Sequence, residues 1–192
     1  MTRNRDDTRQ RILEAALDLV AAEGFGALGV NAVARRAEAD KQLIYRYFGG
    51  LDGLMAAAGA EVAVRMAAAL SQDTSPPASY AELMERLATA LLRHLLQDPL
   101  YRQLRLMEAS APTPATDAFR LARGKVLTDW LAGQRGSLAP PQGVDAAAVN
   151  TVVIAAIEGI AILGPAGMSR DEAEARLMPL LGGLIRDAFG QA

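Results

Sequence analysis

The sequence predicts an all-α protein of about nine helices, and three features of the chain support that prediction. Apolar residues recur three and four positions apart through most of the chain, as they do on one face of an amphipathic helix. No stretch of useful length alternates apolar and polar residues in the way a half-buried strand does. Glycine and proline stand in short breaks between the periodic segments, where they end helices.

The first 50 residues predict three short helices. A tight turn at Glu38–Ala39 separates the second helix from the third, so the segment has the form of a helix-turn-helix. The predicted helix ends carry residues that cap or stop helices: Asp7 or Thr8 before the first helix, Gly24 after it, Asp40 before the third helix and Gly49–Gly50 after it.

Six further helices are predicted from residue 51 onward. Their predicted bounds are Leu51–Ser71, Tyr80–Gln97, Pro99–Ser110, Thr116–Arg135, Asp145–Gly164 and Ser169–Phe189. Pro179 lies inside the last helix and is expected to kink or split it. The chain is thus expected to divide into a helix-turn-helix domain over residues 1–50 and a second domain over residues 51–192.

The composition argues against several classes of function and site. Cysteine is absent, which excludes disulfides, thiolate metal sites and a cysteine nucleophile. The single histidine, the lack of metal-ligand spacing and the lack of a glycine-rich phosphate loop predict no enzyme, no metal and no cofactor. The most apolar stretch, Val149–Gly167, is interrupted by Asn150, Glu158 and Pro165, so we expect a buried helix in a cytoplasmic protein and no membrane span.

Charge gives no global sign of a nucleic-acid partner. The formal net charge is −2, and residues 1–55 hold eight basic and eight acidic residues. Contact with DNA must therefore come from the local placement of charge. Four arginines near the N-terminus form either a DNA-contacting arm or a disordered, solubilising tail: Arg3, Arg5, Arg9 and Arg11.

The segment Val30–Phe48, VNAVARRAEADKQLIYRYF, carries the functional prediction. It resembles the signature of the TetR/AcrR family, whose helix-turn-helix ends in a Tyr-x-Tyr/His-Phe run. The preceding helix, Thr8–Gly24, and the following Leu51-Asp-Gly-Leu54 match that family in spacing. The resemblance implies a homodimeric regulator of transcription, in most cases a repressor, that binds a palindromic operator and responds to a small-molecule effector.

Five polar residues of this segment are the candidate DNA contacts. Lys41 and Gln42 lie at the start of the third helix, where Gln can pair with adenine and Lys can bond guanine acceptors. Tyr45 and Arg46 follow one turn later and suit phosphate contacts, which position the protein on the duplex. Asn31, at the start of the second helix, can also bond a phosphate.

Three residues differ from the family pattern, which usually has Thr or Ser near Gly29, Gly at Glu38 and Lys at Leu51. Gly29 lacks a hydroxyl, Glu38 adds a negative charge and lacks the conformational freedom of glycine, and Leu51 lacks an ammonium group. We therefore expect weaker non-specific affinity for DNA.

The last two helices each carry a wide apolar face that a monomer would leave exposed. Pairing with a second copy would bury both faces in a four-helix bundle. The residues of these faces are Val149, Val152, Val153, Ala156, Ile157, Ile160 and Ala161 on the first helix, and Ala173, Leu177, Leu180, Leu181, Leu184, Ile185 and Ala188 on the second.

The effector is expected to be small and apolar, because methionines and one tryptophan could line an adaptable pocket. The candidates for that pocket are Met55, Met66, Met84, Met107 and Trp130, and each could equally be ordinary core. His94 is either a polar anchor in the pocket or a structural or surface residue. Glu158 could lie on a rim, pair across an interface or enter the pocket.

Two other functions compete with the regulator. An enzyme is disfavoured by the composition given above. A helical protein-interaction module that has lost DNA binding is compatible with Glu38 and Leu51, and it would show no salt-dependent shift of a short palindromic duplex.

Overall fold

The computed structural model describes residues 2–73, 75–164 and 167–190, with side chains other than those of Thr2–Asn4 and Phe25. These residues form nine α-helices, one short 3-10 turn at Phe25–Ala27 and no strand, so the predicted all-α class is confirmed. The helices are α1 Thr2–Glu23, α2 Val30–Arg36, α3 Lys41–Phe48, α4 Leu51–Leu70, α5 Tyr80–Gln97, α6 Pro99–Ser110, α7 Pro114–Arg135, α8 Ala146–Leu163 and α9 Arg170–Phe189.

Most helix ends lie where the capping residues predict them. The side chain of Asp40 accepts a hydrogen bond from the backbone N–H of Gln42 at 2.8 Å, which caps α3. Ser169 caps α9 in the same way and forms a full capping box with Glu172. Gly24 ends α1 with φ +77°, a left-handed conformation that glycine adopts at little cost.

Two predicted helix starts are wrong. Helix α1 begins at Thr2 and not at Asp7 or Thr8, because residues 2–7 contain no glycine or proline that would stop it. Helix α7 begins at Pro114 and not near Thr116. The Thr113 hydroxyl accepts from the backbone N–H of Thr116 at 3.2 Å, and proline fits the first helical position because it has no N–H to satisfy.

Pro179 does not split α9, which runs from Arg170 to Phe189 as one helix. Proline removes the hydrogen bond to the carbonyl four residues earlier, here that of Ala175. Both residues are exposed, so water can reach that carbonyl.

The chain packs as two units, Met1–Val64 with Pro99–Gly124, and Arg65–Asp98 with Lys125–Ala192. The boundary between them falls inside α4 and inside α7 and does not follow residue 50. The functional division into residues 1–50 and 51–192 stays a prediction.

In the first unit α1 packs on α2, α3 and α6. The rings of Tyr101 and Phe119 meet edge to face with centroids 5.8 Å apart. Helix α4 approaches Phe119 at Gly59, where an added Cβ would lie 2.9 Å from the Phe119 Cβ. The buried side chains of this core include Ile12, Val20, Val33, Ile44, Leu54, Val62, Tyr101 and Phe119.

In the second unit α5 is the central helix and packs on α8 and α9. Tyr80 meets Phe189 edge to face at 5.1 Å, and its hydroxyl accepts a hydrogen bond from Asn150 at 3.1 Å. Arg93 pairs with Glu174 at 2.8 Å, which adds a charged contact between α5 and α9. The buried α5 side chains include Leu83, Met84, Leu87, Leu91, Leu92 and Leu95.

The prediction that the apolar α8 is a buried helix is wrong for the single chain. Only 17% of its most apolar 18-residue window is buried, and Val152 and Leu163 are 68% and 86% exposed. Helices α4 and α8 are long and apolar enough to span a membrane by length and composition, a test that core helices of soluble proteins also pass. Glu158 is buried, 9% exposed.

Candidate nucleic-acid interface

The turn between α2 and α3 is tight and is held by backbone hydrogen bonds. The N–H of Ala37 bonds the carbonyl of Val33 at 2.8 Å, and the N–H of Ala39 bonds the carbonyl of Ala34 at 3.0 Å. Glu38 completes the turn with φ +47° and is the only described residue other than glycine with a positive φ. The turn thus uses the conformation that the sequence analysis assigned to a glycine-like position.

Helix α3 is fixed at both ends and along its back. Asp40 caps its start, and Gly49, with φ +76°, ends it with its N–H bonded to the carbonyl of Tyr45. Ile44 is fully buried in the core of the first unit. Because these three contacts hold the helix in place, they also fix which way its outer face points.

All five predicted contact residues are exposed. Lys41 and Tyr45 are one helical turn apart, as are Gln42 and Arg46, so the four side chains share one face of α3. Tyr45 is 58% exposed, which is unusual for an aromatic side chain without a binding partner. Asn31 lies exposed at the start of α2. Their role in DNA contact stays a prediction.

Basic side chains of α1 lie against the aromatic end of α3. The Arg5 guanidinium lies 5.7 Å from the Tyr47 ring centroid, and that of Arg9 lies 5.0 Å from the Phe48 centroid. Arg46 also approaches Tyr47, at 6.0 Å. Cation–π contacts of this kind hold a guanidinium in place and leave its N–H groups able to donate.

These contacts bear on the expected N-terminal arm. Residues 5–11 are part of α1, so this stretch is not the disordered tail that one interpretation expected. Arg11 is exposed on the same helix, and the side chain of Arg3 lies outside the described residues. The sequence analysis did not find the contacts of Arg5 and Arg9, because they depend on how α1 and α3 pack.

Besides Glu38, the two other differences from the family pattern also have visible consequences. Gly29 is the N-cap of α2, and no side chain caps that end. Leu51 is half-buried at the start of α4. Arg36 pairs with Glu23 at 3.9 Å, which offsets part of the positive charge on α2.

A second candidate site is a cavity of about 580 Å³ within the second unit. It lies between the end of α4, the following loop, α5 and α7, and Trp130 lines it as predicted. The methionines do not line it. Met55, Met66 and Met84 are buried core residues, and Met107 is half-buried.

The cavity is not the apolar pocket that the sequence analysis expected. Its walls include Asp73, Glu82, Glu85, Arg86 and Arg93. The sequence analysis did not single out the polar residues of α5, which recur three and four apart and so form a second, polar face of the helix.

His94 also lines the cavity and is mostly buried. Burial lowers the pKa of its imidazole below the ordinary value, against the opposing effect of the Asp98 carboxylate 3.8 Å away; Arg65 lowers it further. His94 is therefore neutral at neutral pH. Its Nε2 is buried without a hydrogen-bond partner in the described part of the chain.

Comparisons with known proteins agree with this geometry. Residues 12–58 match the model of the family described as bacterial regulatory proteins, tetR family. That range covers most of α1, all of the helix-turn-helix and the start of α4. A search of curated protein sequences found no match.

Solved structures share the fold over nearly the whole chain. GusR from Salmonella enterica superposes with a TM-score of 0.73 at 15% identity, covering 96% of each chain. A TetR-family regulator from Streptomyces coelicolor gives 0.68 at 19% identity, covering 96% of this chain and 89% of that one. A TetR-family regulator from Marinobacter aquaeolei gives 0.63 at 21% identity, covering 98% of each.

The family match covers the helix-turn-helix, and the shared fold covers the helices that follow it. Residues 12–58 thus match the tetR family of bacterial regulatory proteins, and the chain as a whole has the fold of the solved TetR-family regulators.

Proposed function

We propose that the chain is a repressor that binds a palindromic operator as a homodimer and is released by a small-molecule effector. The observation that carries the proposal is the outer face of α3, where Lys41, Gln42, Tyr45 and Arg46 are exposed on a helix capped at both ends. Lys41 and Gln42 read base edges in the major groove. Tyr45, Arg46 and Asn31 bond phosphates.

The proposed dimer is formed through α8 and α9. This is supported by the apolar side chains that both helices expose in the single chain, among them Val152, Leu180 and Leu184. Four further residues were expected on these faces but are buried within the chain and are not part of the proposed interface: Ile157, Ala161, Ala173 and Ile185. A dimer lets two copies of α3 enter successive major grooves, about 34–36 Å apart.

Release by an effector is proposed to act through α4. This helix is continuous, with residues 51–64 in the first unit and 65–70 in the second. Ala69 and Leu70, at its end, line the cavity. An effector that displaces this end of α4 would change the spacing of the two recognition helices and so weaken operator binding, and by linkage DNA would weaken effector binding equally.

The proposed protein works in the cytoplasm, where its operator is, and it carries no catalytic activity. Within the described residues no three His, Asp or Glu side chains lie together as a metal site would require. Two of the solved structures that share this fold are described as TetR-family transcriptional regulators.

The experiment that tests the proposal begins with selection of bound duplexes from a random pool. Gln42→Ala is expected to relax base preference at one position per half-site, at a cost of about 1–3 kcal/mol. Arg46→Ala is expected to weaken all sequences alike and to reduce the dependence of binding on salt. If both variants bind every duplex as the parent does, α3 is not the reading helix.

A further inference from the structure

We infer that the cavity of the second unit binds an uncharged small molecule that carries several hydroxyl groups and one apolar ring. The regulatory meaning of this inference rests on the proposed function, but the binding itself does not require DNA. It replaces the apolar effector that the sequence suggested.

The size and construction of the cavity suit a small ligand. Its volume of about 580 Å³ lies within the range of about 300–1,000 Å³ that ligand sites occupy. One polar end is built by the loop after α4. There the Arg86 guanidinium donates to the carbonyl of Ser75, pairs with Glu82 and lies 3.5 Å from the Asp73 carboxylate. This network fixes the wall before any ligand enters.

The charges on the cavity wall are already paired. Glu82 pairs with Arg86, Glu85 pairs with Arg186 of α9, and Arg93 pairs with Glu174 of α9. A charged ligand gains little here, because each wall charge already has a partner of opposite sign and the pairs are partly exposed to water, which screens any further attraction. An uncharged ligand leaves every pair intact.

The same groups can still hydrogen-bond to hydroxyls. A carboxylate has about four lone-pair sites, so Glu82 and Glu85 can accept from a ligand while they remain paired. Thr89 and Gln134 offer both a donor and an acceptor on the wall.

The apolar part of the wall suits one ring. Leu70, Leu83 and Trp130 supply it. The indole Nε1 of Trp130 donates to the Leu70 carbonyl at 2.8 Å, which fixes the orientation of that ring. A fatty acid does not fit this wall, because its carboxylate would lie beside those of Asp73, Glu82 and Glu85 and its chain would cover their polar atoms.

Trp130 makes the inference measurable, because it is the only tryptophan in the chain. The probes are three molecules that share a phenyl ring: phenyl β-D-glucopyranoside, phenylacetate and phenethylammonium. Each is titrated into the full chain while tryptophan emission is followed. We expect a saturable change with the glucoside, with a Kd at least about tenfold below those of the two ions, which is about 1.4 kcal/mol.

Two variants test the site itself. Thr89→Val and Gln134→Leu are each expected to raise the Kd for the glucoside at least fivefold. Thr128→Val, on the exposed side of α7 and outside the cavity, is the control and is expected to leave that Kd unchanged. No saturable change with the glucoside, equal binding of a charged probe, or an unchanged Kd in both cavity variants would overturn the inference.

The same preparations are tested for salt-dependent binding to the selected duplex. Duplex binding without glucoside binding rejects the ligand class and leaves the proposed regulator standing. Glucoside binding without duplex binding rejects the proposed function and leaves the ligand class standing. The two failures are therefore distinguishable.

Discussion

Glu38 combines two costs in one residue. Its φ of +47° lies in the left-handed region, which costs a residue with a Cβ about 1–2 kcal/mol. Its exposed carboxylate stands three residues before Lys41, close to the surface proposed to meet phosphates. Glycine at this position would avoid both the strain and the charge.

Glu38→Gly and Glu38→Gln separate the two effects. The glycine variant is expected to gain up to about 1 kcal/mol in the free energy of unfolding, because released strain exceeds the added entropy of the unfolded chain. Both variants are expected to bind all duplexes several-fold more tightly at low salt, because each loses the negative charge. Urea unfolding measures the free energy of unfolding, and duplex titration measures the affinity for DNA. A glutamine variant with unchanged affinity would show that the carboxylate does not face DNA.

At the scale of single residues, the sequence predicts the contacts that depend only on near neighbours along the chain. Asp40 caps α3 and Gly49 ends it as predicted, because capping depends on neighbours along the chain. The contacts of Arg5 and Arg9 with α3, and the pairing of Glu85 with Arg186, could not be predicted in that way. They join residues whose approach only the packed fold decides.

Helices α3 and α4 meet at a junction that leaves no room for a side chain. A Cβ added at Gly53, in the first turn of α4, would lie 1.7 Å from the backbone carbonyl oxygen of Phe48. No atom in that contact is the end of a flexible side chain, so the helices themselves would have to move. Gly53 thus sets how closely α4 follows α3.

Gly53→Ala is expected to destabilise the protein by about 1–3 kcal/mol or more, because the backbone must shift to admit the methyl group. Gly133→Ala is the matched control. Gly133 is also helical, but an added Cβ there meets nothing within 4 Å, so that variant is expected to gain up to about 1 kcal/mol. Urea unfolding compares the two. Equal stability of the two variants would contradict the close contact.

At the scale of helices, the predicted bounds agree with the structure for most helices, and the errors have identifiable causes. Helix α7 begins two residues before its predicted start. Thr113 caps the helix and Pro114 fits its first position, which the pattern of apolar residues does not reveal. Helix α8 was expected to be buried because its composition is that of a core helix. Periodicity predicts that an apolar face needs a cover, but it does not tell whether this chain or another provides it.

On the scale of the whole molecule, the exposed apolar side chains of α8 and α9 are the main unsatisfied feature. Val152, Leu180 and Leu184 are 68%, 60% and 58% exposed. Leu121, on α7 in the first unit, is 66% exposed and offers a comparison away from these two helices.

Val152→Lys and Leu184→Lys are each expected to yield monomers that lose operator binding, since a buried ammonium without a partner opposes association. Leu121→Lys places the same charge at a similarly exposed site and is expected to leave both properties intact. Light scattering gives the mass, and duplex titration gives the affinity. Lysine variants that stay dimeric with full affinity would exclude α8 and α9 as the interface.

The two caps of α3 have a consequence for the thermodynamics of DNA binding. An isolated helix of eight residues is too short to hold its form in water, yet α3 is complete in the free protein because Asp40, Gly49 and buried Ile44 hold it. Docking therefore orders side chains and displaces water and ions without folding a backbone segment. The heat-capacity change of binding then reflects only the surface buried at the interface, without the added contribution of coupled folding.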